Sequence, residues 1–432
     1  MLLTVKNVAK IRHADIQLDG ITVIAGKNNT GKSTIGKSLY CMFNSFYNSS
    51  EKMIEERNNY SENLIRQYLR QFDLSPPTQS KIRSDIVREL AALEVNSESL
   101  EDEILNILQK HINKHEKRIL NFSENAKRFG YIDLNIENVA NSLFEVLSVD
   151  LDFFQKTLID KYFYEEFRSQ INHVDHDNET AEVELKIKKK PIKVAFKQNR
   201  CFSFSQNIPI TVEALYCDSP FILDSIERNL SFLMREELGH QIVLINKLKT
   251  GRSKTTIEEA MRNKKLESVI QKINTVASGD FIKNDEEREE SFKETGFSKP
   301  LHFSNLSAGL KTFVLLKWLI NAGHFEDKGV LILDEPEVHL HPEWQLLFAE
   351  ILVMLQKEYN LSVLLTTHSP YFLRAIQAYS HKYEIESKCN YYLAELKDNY
   401  ATFTNVNGST ESIYKLLAAP LQQLEDTRWE EL

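Results

Sequence analysis

At 432 residues, 42% of them hydrophobic and 27% charged, the chain carries enough apolar material for one large domain or about two or three smaller ones, which excludes a disordered polymer. Its 53 basic and 62 acidic residues give a net charge of -9, so nucleic acid is not indicated by charge and would need a local basic patch. No apolar run approaches the roughly 20 residues that cross a bilayer, and Met1 to Gly20 lacks the apolar stretch and cleavage site of a secretory signal. The expected setting is therefore the cytoplasm, with no membrane partner. Cys41, Cys201, Cys217 and Cys389 lack metal-ligand spacing and read as ordinary thiols.

In chain order, residues 1–43 read strand, strand, loop, helix. "LLTVKNV" and "ADIQL" alternate at period two, "ITVIA" is a short apolar run of the kind buried in a parallel sheet, and Ile35, Leu39 and Phe43 recur at helical spacing. Residues 44–176 are rich in Glu, Lys, Asn and Leu in long helical patterns that Pro76-Pro77 interrupts. No heptad is sustained, so the expectation is a compact helical insertion serving as a partner or dimer contact. Within 177–432, period two returns from Ala181 to Cys217 as an antiparallel patch, and helices resume from Ile222 to Ala277. "GDFIKN" and "SFKET" then flank the acidic loop "DEEREE". An apolar helix at Phe313–Ile320, the strand "VLILDE", a helix from Pro342, the strand "LSVLLTTH" and a tail of two strands and a helix follow. Such alternation predicts an α/β fold with a mostly parallel core sheet, an antiparallel β subdomain and a helical insertion that splits the core.

"GKNNTGKST" matches G-x-x-x-x-G-K-[ST] directly after an apolar strand and at the start of a helix. Gly26, Lys27, Asn28, Asn29, Thr30, Gly31, Lys32, Ser33 and Thr34 are the candidate nucleotide-binding residues. Backbone N–H groups and the helix N-terminus cradle phosphate, Lys32 reaches the β and γ phosphates, and the Ser33 hydroxyl ligates Mg²⁺. In "VLILDEPEVHLHP", Asp334 leaves a buried strand at its carboxyl end, where such sheets bind ligands, and is the second metal candidate. Glu335 is the candidate general base. In "LLTTHSP", His368 leaves another strand at the same edge, placed to meet a γ-phosphate or the attacking water. "NLSAGLK" offers Ser307 as an N-cap and Gly309 as a point of close backbone approach, a second anion site in one chain.

Phosphate loop, "LSAGLK", "LDEP" and switch histidine, in this order, resemble the ABC-type ATPase head of the SMC and RecF class. "LDEPEVHLHP" followed by "LLTTHSP" is similar to the overcoming-lysogenisation-defect (OLD) group and its stand-alone AAA family relatives in bacterial anti-phage systems, such as the Septu, retron-associated and PARIS ATPase subunits. The resemblance implies ATP and Mg²⁺ as cofactors, with Glu335 and His368 catalytic. It also implies a homodimer or multiple of dimers in which Ser307 and Gly309 act on the partner's ATP, and His339 or His341 lies in the segment meeting that partner. The residue linking metal to helical lobe is either Gln206 or Asp218. The sixty or so residues after His368 show no nuclease domain, so a separate effector such as a nuclease is expected. A DNA-binding repair or chromosome-maintenance ATPase and a slow-turnover scaffold are the alternatives. Arg168 and His173 match the Arg-x4-His spacing of HEPN ribonucleases, a coincidence expected in a chain with 12 histidines.

Overall fold

A computed structural model of the chain describes residues 1–72, 74–94, 99–113, 135–173, 175–176, 178–227, 239–250, 256–284 and 289–430. Part of the acidic loop "DEEREE" and part of the basic stretch Lys247–Thr256 lie outside these residues. Two units are distinguished, Met1–Tyr47 with Leu158–Leu432, and Asn48–Thr157.

The first unit is built on one eleven-stranded sheet, ordered β6-β5-β4-β1-β2-β13-β12-β3-β11-β10-β7. Its strands are β1 (Leu2–Val8), β2 (Ile11–Gln17), β3 (Ile21–Gly26), β4 (Ala181–Ile187), β5 (Lys190–Lys197), β6 (Arg200–Gln206), β7 (Ala214–Cys217), β10 (Val330–Asp334), β11 (Ser362–Thr367), β12 (Cys389–Lys397) and β13 (Tyr400–Asn405). The hairpin of β8 (Gly279–Asn284) and β9 (Glu289–Glu294) stands apart from this sheet. The run β12, β3, β11, β10, β7 is parallel, and three of its members, β3, β10 and β11, are short apolar runs in the sequence. Every residue of β3 is buried. From β1 to β6 the pairing is antiparallel, with side chains alternating between buried and exposed. Lys188-Lys189 and Gln198-Asn199 close its two-residue hairpins with positive φ at both positions, the geometry that matches strand twist.

One expectation changes. Ala214–Cys217 was expected within the antiparallel patch, but β7 instead pairs in parallel with β10, in register Ala214↔Val330 to Cys217↔Leu333. As the edge strand its free backbone is covered by Asn44, whose amide accepts from Ala214 N at 2.8 Å and donates to Ala214 O at 3.0 Å. The antiparallel strands β2, β1, β4, β5 and β6 continue the core sheet.

Helix Ala308–Asn321 is buried on all sides from Lys311 to Ile320, as its near-continuous apolar sequence requires. Phe313 meets Phe348 edge-on at 5.6 Å, and Phe348 stacks on Phe372, so this helix, Pro342–Tyr359 and Pro370–Lys382 share one core. Each such buried ring contributes about 1.5–3 kcal/mol. Lys317, inside this core, donates to Asn274 Oδ1 at 2.7 Å and Ala277 O at 3.1 Å.

The second unit holds the helices Ser49–Leu69, Pro76–Leu90, Leu100–Asn113 and Ile136–Leu147. Proline at the first turn of Pro76–Leu90 starts that helix where its missing N–H costs nothing. Ile82, Ile86 and Leu90, then Leu100, Ile104, Leu108 and Ile112, line its core at four-residue spacing. The segment Leu158–Phe167 belongs to the first unit, where Tyr162 and Phe163 are buried.

Candidate functional site

Four strand ends and one helix start supply the site. Gly26 closes β3, and Gly31, at φ 78°, caps helix Lys32–Asn44. A Cβ at Gly31 would stand 3.0 Å from Ala401 Cβ, so both its backbone angle and its neighbour demand glycine. Between them, Lys27, Asn28 and Asn29 are exposed, while Thr30 is buried and donates to Lys27 O at 2.8 Å. Lys10 donates to Asn29 Oδ1 at 2.8 Å. Ser33 and Thr34 open the helix, and Thr34 O accepts the Ser38 hydroxyl at 2.8 Å.

Lys32 is buried and turns back over the loop, donating to Lys27 O at 2.9 Å and Gly26 O at 3.2 Å. Its ammonium also lies 2.9 Å from His368 Nε2 and 3.6 Å from Glu335 Oε1. Burial lowers its pKa against the opposing pull of Glu335 and Asp334.

At the end of β10, parallel register sets Asp334 beside Thr366 of β11. The Thr366 hydroxyl donates to Asp334 Oδ1 at 2.5 Å and accepts from Glu335 N at 3.0 Å. The Tyr216 hydroxyl, from the end of β7, donates to Asp334 Oδ2 at 3.3 Å. Glu335 takes φ 51°, a left-handed conformation, and its Oε1 lies 2.6 Å from His368 Nε2. That bond holds the Glu335 carboxyl below its ordinary pKa, overcoming burial, and Lys32 adds to the effect, so it is a carboxylate at neutral pH. Glu337 is 3% exposed, and its Oε1 accepts from the Thr367 hydroxyl at 2.5 Å and His368 N at 2.8 Å, tying the segment after β10 to the segment after β11. Burial raises its pKa despite those bonds.

Ser33, Asp218, Asp334 and Glu335 line a cavity of about 280 Å³ together with the apolar Leu315, Leu319, Leu331, Leu333 and Phe348. Among the described residues no group of three or more His, Cys, Asp or Glu is arranged to cage a metal by itself. One hydroxyl and one carboxylate, both hard oxygen donors, fit a Mg²⁺ that takes its remaining ligands from phosphate and water.

Ser307 is exposed, and its hydroxyl accepts from Leu310 N at 3.3 Å as the N-cap of Ala308–Asn321. Gly309 packs on its own chain: a Cβ there would meet His339 O at 2.9 Å and the Trp344 ring at 3.0 Å. His339 packs edge-on to Phe221, and His341 caps Pro342–Tyr359. Gln206 donates to Ile208 O at 3.0 Å, whereas Asp218 follows β7 and lines the cavity. Arg168 pairs with Glu165 at 3.8 Å and His173 stacks on Tyr400, so each has partners of its own. On the sheet surface, Lys186 and Lys193 both pair with Glu184, at 2.9 Å and 3.4 Å. Among the described residues no helix is long and apolar enough to cross a membrane.

Sequence reasoning did not single out Tyr216, Thr366 or Glu337. Only sheet register brings the first two onto Asp334, although the doublet Thr366-Thr367 before His368 was a signal in plain view.

The chain is 26% identical over 429 residues to Endonuclease GajA of Bacillus cereus (strain HuB5-5), a match that covers 89% of this chain and 56% of that one. It thus spans about half the length of this curated relative. Among solved structures, the SMC head domain from Thermotoga maritima matches 94% of this chain and 98% of its own at 11% identity and a TM-score of 0.35. The SmcHead bound to the C-winged helix domain of ScpA matches 96% and 98% at 11% identity and a TM-score of 0.40. The model of the AAA ATPase domain family matches residues 1–373. With the phosphate loop, the β10 carboxylates and His368 all inside those residues, the chain belongs to the AAA ATPase domain family.

Proposed function

We propose that this chain is an ATP hydrolase working as a homodimer, two ATP molecules being held between two heads, and that closure of the pair controls a separate effector in anti-phage defence. The observation that carries it is the convergence of Lys32, Glu335 and His368 within 3.6 Å beside Asp334, while Ser307 stands exposed on another helix. Ser33 and Asp334 hold Mg²⁺, which neutralises phosphate charge when bound. Lys32 exchanges its loop carbonyls for the β and γ phosphates. Glu335, ionised, accepts the proton of the attacking water, and His368 orients that water or the γ-phosphate. Ser307 and the N–H groups behind it complete the partner's site. Because ATP binds the closed pair better than the open one, it shifts the population toward closure. The effector is taken to be a nuclease, the activity named for the GajA relative.

The test is ATPase rate against protein concentration, with complementation. Rate per chain rises with concentration in a dimerising enzyme. Ser307→Arg and Lys32→Ala proteins, each inactive alone, regain one working site per mixed dimer. A rate per chain that is constant down to nanomolar protein, with no gain on mixing, sinks the dimer.

A further inference from the structure

We propose that Tyr216 is the positioning residue of the divalent-cation site, its hydroxyl fixing the free oxygen of Asp334 while buried Glu166 and His240, with Asp218 at the surface, fix its ring. The inference rests on the reading above that Asp334 carries the metal.

Asp334 has one oxygen bonded by Thr366 and the other by Tyr216. A carboxylate held at both oxygens cannot swing, yet each oxygen keeps a lone pair for a cation. Such hydrogen bonds to metal ligands govern metal affinity. Thr366 comes from β11 and Tyr216 from β7, the two neighbours of β10, so the carboxylate is gripped from both sides of its strand.

What holds Tyr216 is unusual for a core tyrosine. Its ring stacks on His240 at 4.3 Å with 28° between planes. His240 Nδ1 lies 2.9 Å from both Glu166 oxygens, and His240 N donates to Glu166 Oε1 at 2.7 Å. Its Nε2 lies 3.0 Å from Asp218 Oδ2. The bonds from Nδ1 and from its own backbone N–H to Glu166, with the Asp218 carboxylate close to Nε2, fix the imidazole, so the face it presents to Tyr216 is constant. Burial opposes its charge, but the bonds to Asp218 and Glu166 prevail and raise its pKa to about 9, leaving a cation against the tyrosine ring. On the other side, helix Lys32–Asn44 closes in: a Cβ at Gly36 would stand 3.6 Å from the Tyr216 hydroxyl.

This assigns the link between metal carboxylate and helical lobe, for which Gln206 and Asp218 were the candidates. Gln206 is committed to Ile208 O, and Asp218 to His240 and Gln241. Tyr216 is the group of β7 that touches Asp334.

Tyr216→Phe removes one oxygen and keeps the ring. Mn²⁺ binding to the protein with ADP, followed by electron paramagnetic resonance, is expected to weaken about tenfold. ATP binding in excess chelator and the thermal midpoint should stay at wild-type values. His240→Gln, which frees the ring without touching Asp334, is expected to weaken Mn²⁺ about threefold, an effect a purely structural tyrosine would not show. Unchanged Mn²⁺ affinity in Tyr216→Phe overturns the assignment, as does an equal loss of Mn²⁺ and metal-free ATP binding. Wild-type protein that binds Mn²⁺ with ADP but does not hydrolyse ATP removes the hydrolase reading and leaves this one standing.

Discussion

Replacing His240 by Gln should change the pH dependence of stability in a calculable way. The imidazole is 8% exposed and held between Glu166 and Asp218, which together raise its pKa from 6.5 to about 9. A group with a raised folded-state pKa stabilises fully below its unfolded value and loses that contribution as pH climbs through the folded value. The window therefore runs from about pH 6.5 to about pH 9. At about 1.36 kcal/mol per tenfold, the proton contributes about 3 kcal/mol at pH 6 and almost nothing at pH 9.5 or above. Trp318 and Trp344 pack in the core of the first unit, so their fluorescence in a urea titration follows that unit's unfolding. The penalty of His240→Gln should be about 3 kcal/mol larger at pH 6 than at pH 9.5. Growing net negative charge affects both proteins alike and cancels. A penalty that is the same at both pH values would show a neutral imidazole and refute the reasoning.

Gly309→Ala gains about 1 kcal/mol of helix propensity but drives a Cβ against the His339 carbonyl and the Trp344 ring. A net loss of about 1–2 kcal/mol is expected in the same titration, and a stabilised variant would show that the segment after β10 yields. Glu337→Leu strands the Thr367 hydroxyl and His368 N as buried donors; kcat should fall at least about tenfold with KM for ATP nearly unchanged, while Glu337→Gln, still an acceptor, should stay within about threefold of wild type. Because His368 holds the Glu335 carboxyl below its ordinary pKa, the base form is lost only as pH falls below about 4.5. Followed by carbon-13 NMR against a Glu335→Gln control, the Glu335 carboxyl should stay ionised between pH 6 and 8, and a carboxyl that protonates in that window would contradict the assignment.

What could be read from sequence was what lies local in the chain. The loop from Gly26 to Thr34 is contiguous, and its apolar strand and helix announce themselves by period. Asp334, Glu335 and His368 follow buried strands, so chain order alone sent them to one sheet edge. The partners that tune them were not legible, because their roles depend on pairing between distant segments. Thr366 reaches Asp334 only through the β10–β11 register, and Tyr216 only because β7 leaves the antiparallel patch for the core. Glu166, Asp218 and His240 come from three elements whose meeting no spacing rule encodes. The "LSAGLK" stretch was legible as a helix start, and the structure adds that Gly309 has a steric reason to be glycine within its own chain.

The position of β3 bears on how the protein is made. Ile21–Gly26 is flanked by β11 and β12, whose residues pair with it from Val363 and Cys389 onward. During synthesis, at roughly 5–20 residues per second, the strand that carries the phosphate loop leaves the ribosome long before its two neighbours and waits with both edges open until Ser362–Thr367 and Cys389–Lys397 have followed. Nucleotide competence thus waits on the arrival of β11 and β12. A slow search set by these distant pairings, and a need for chaperone cover of an exposed apolar strand, follow from the same arrangement.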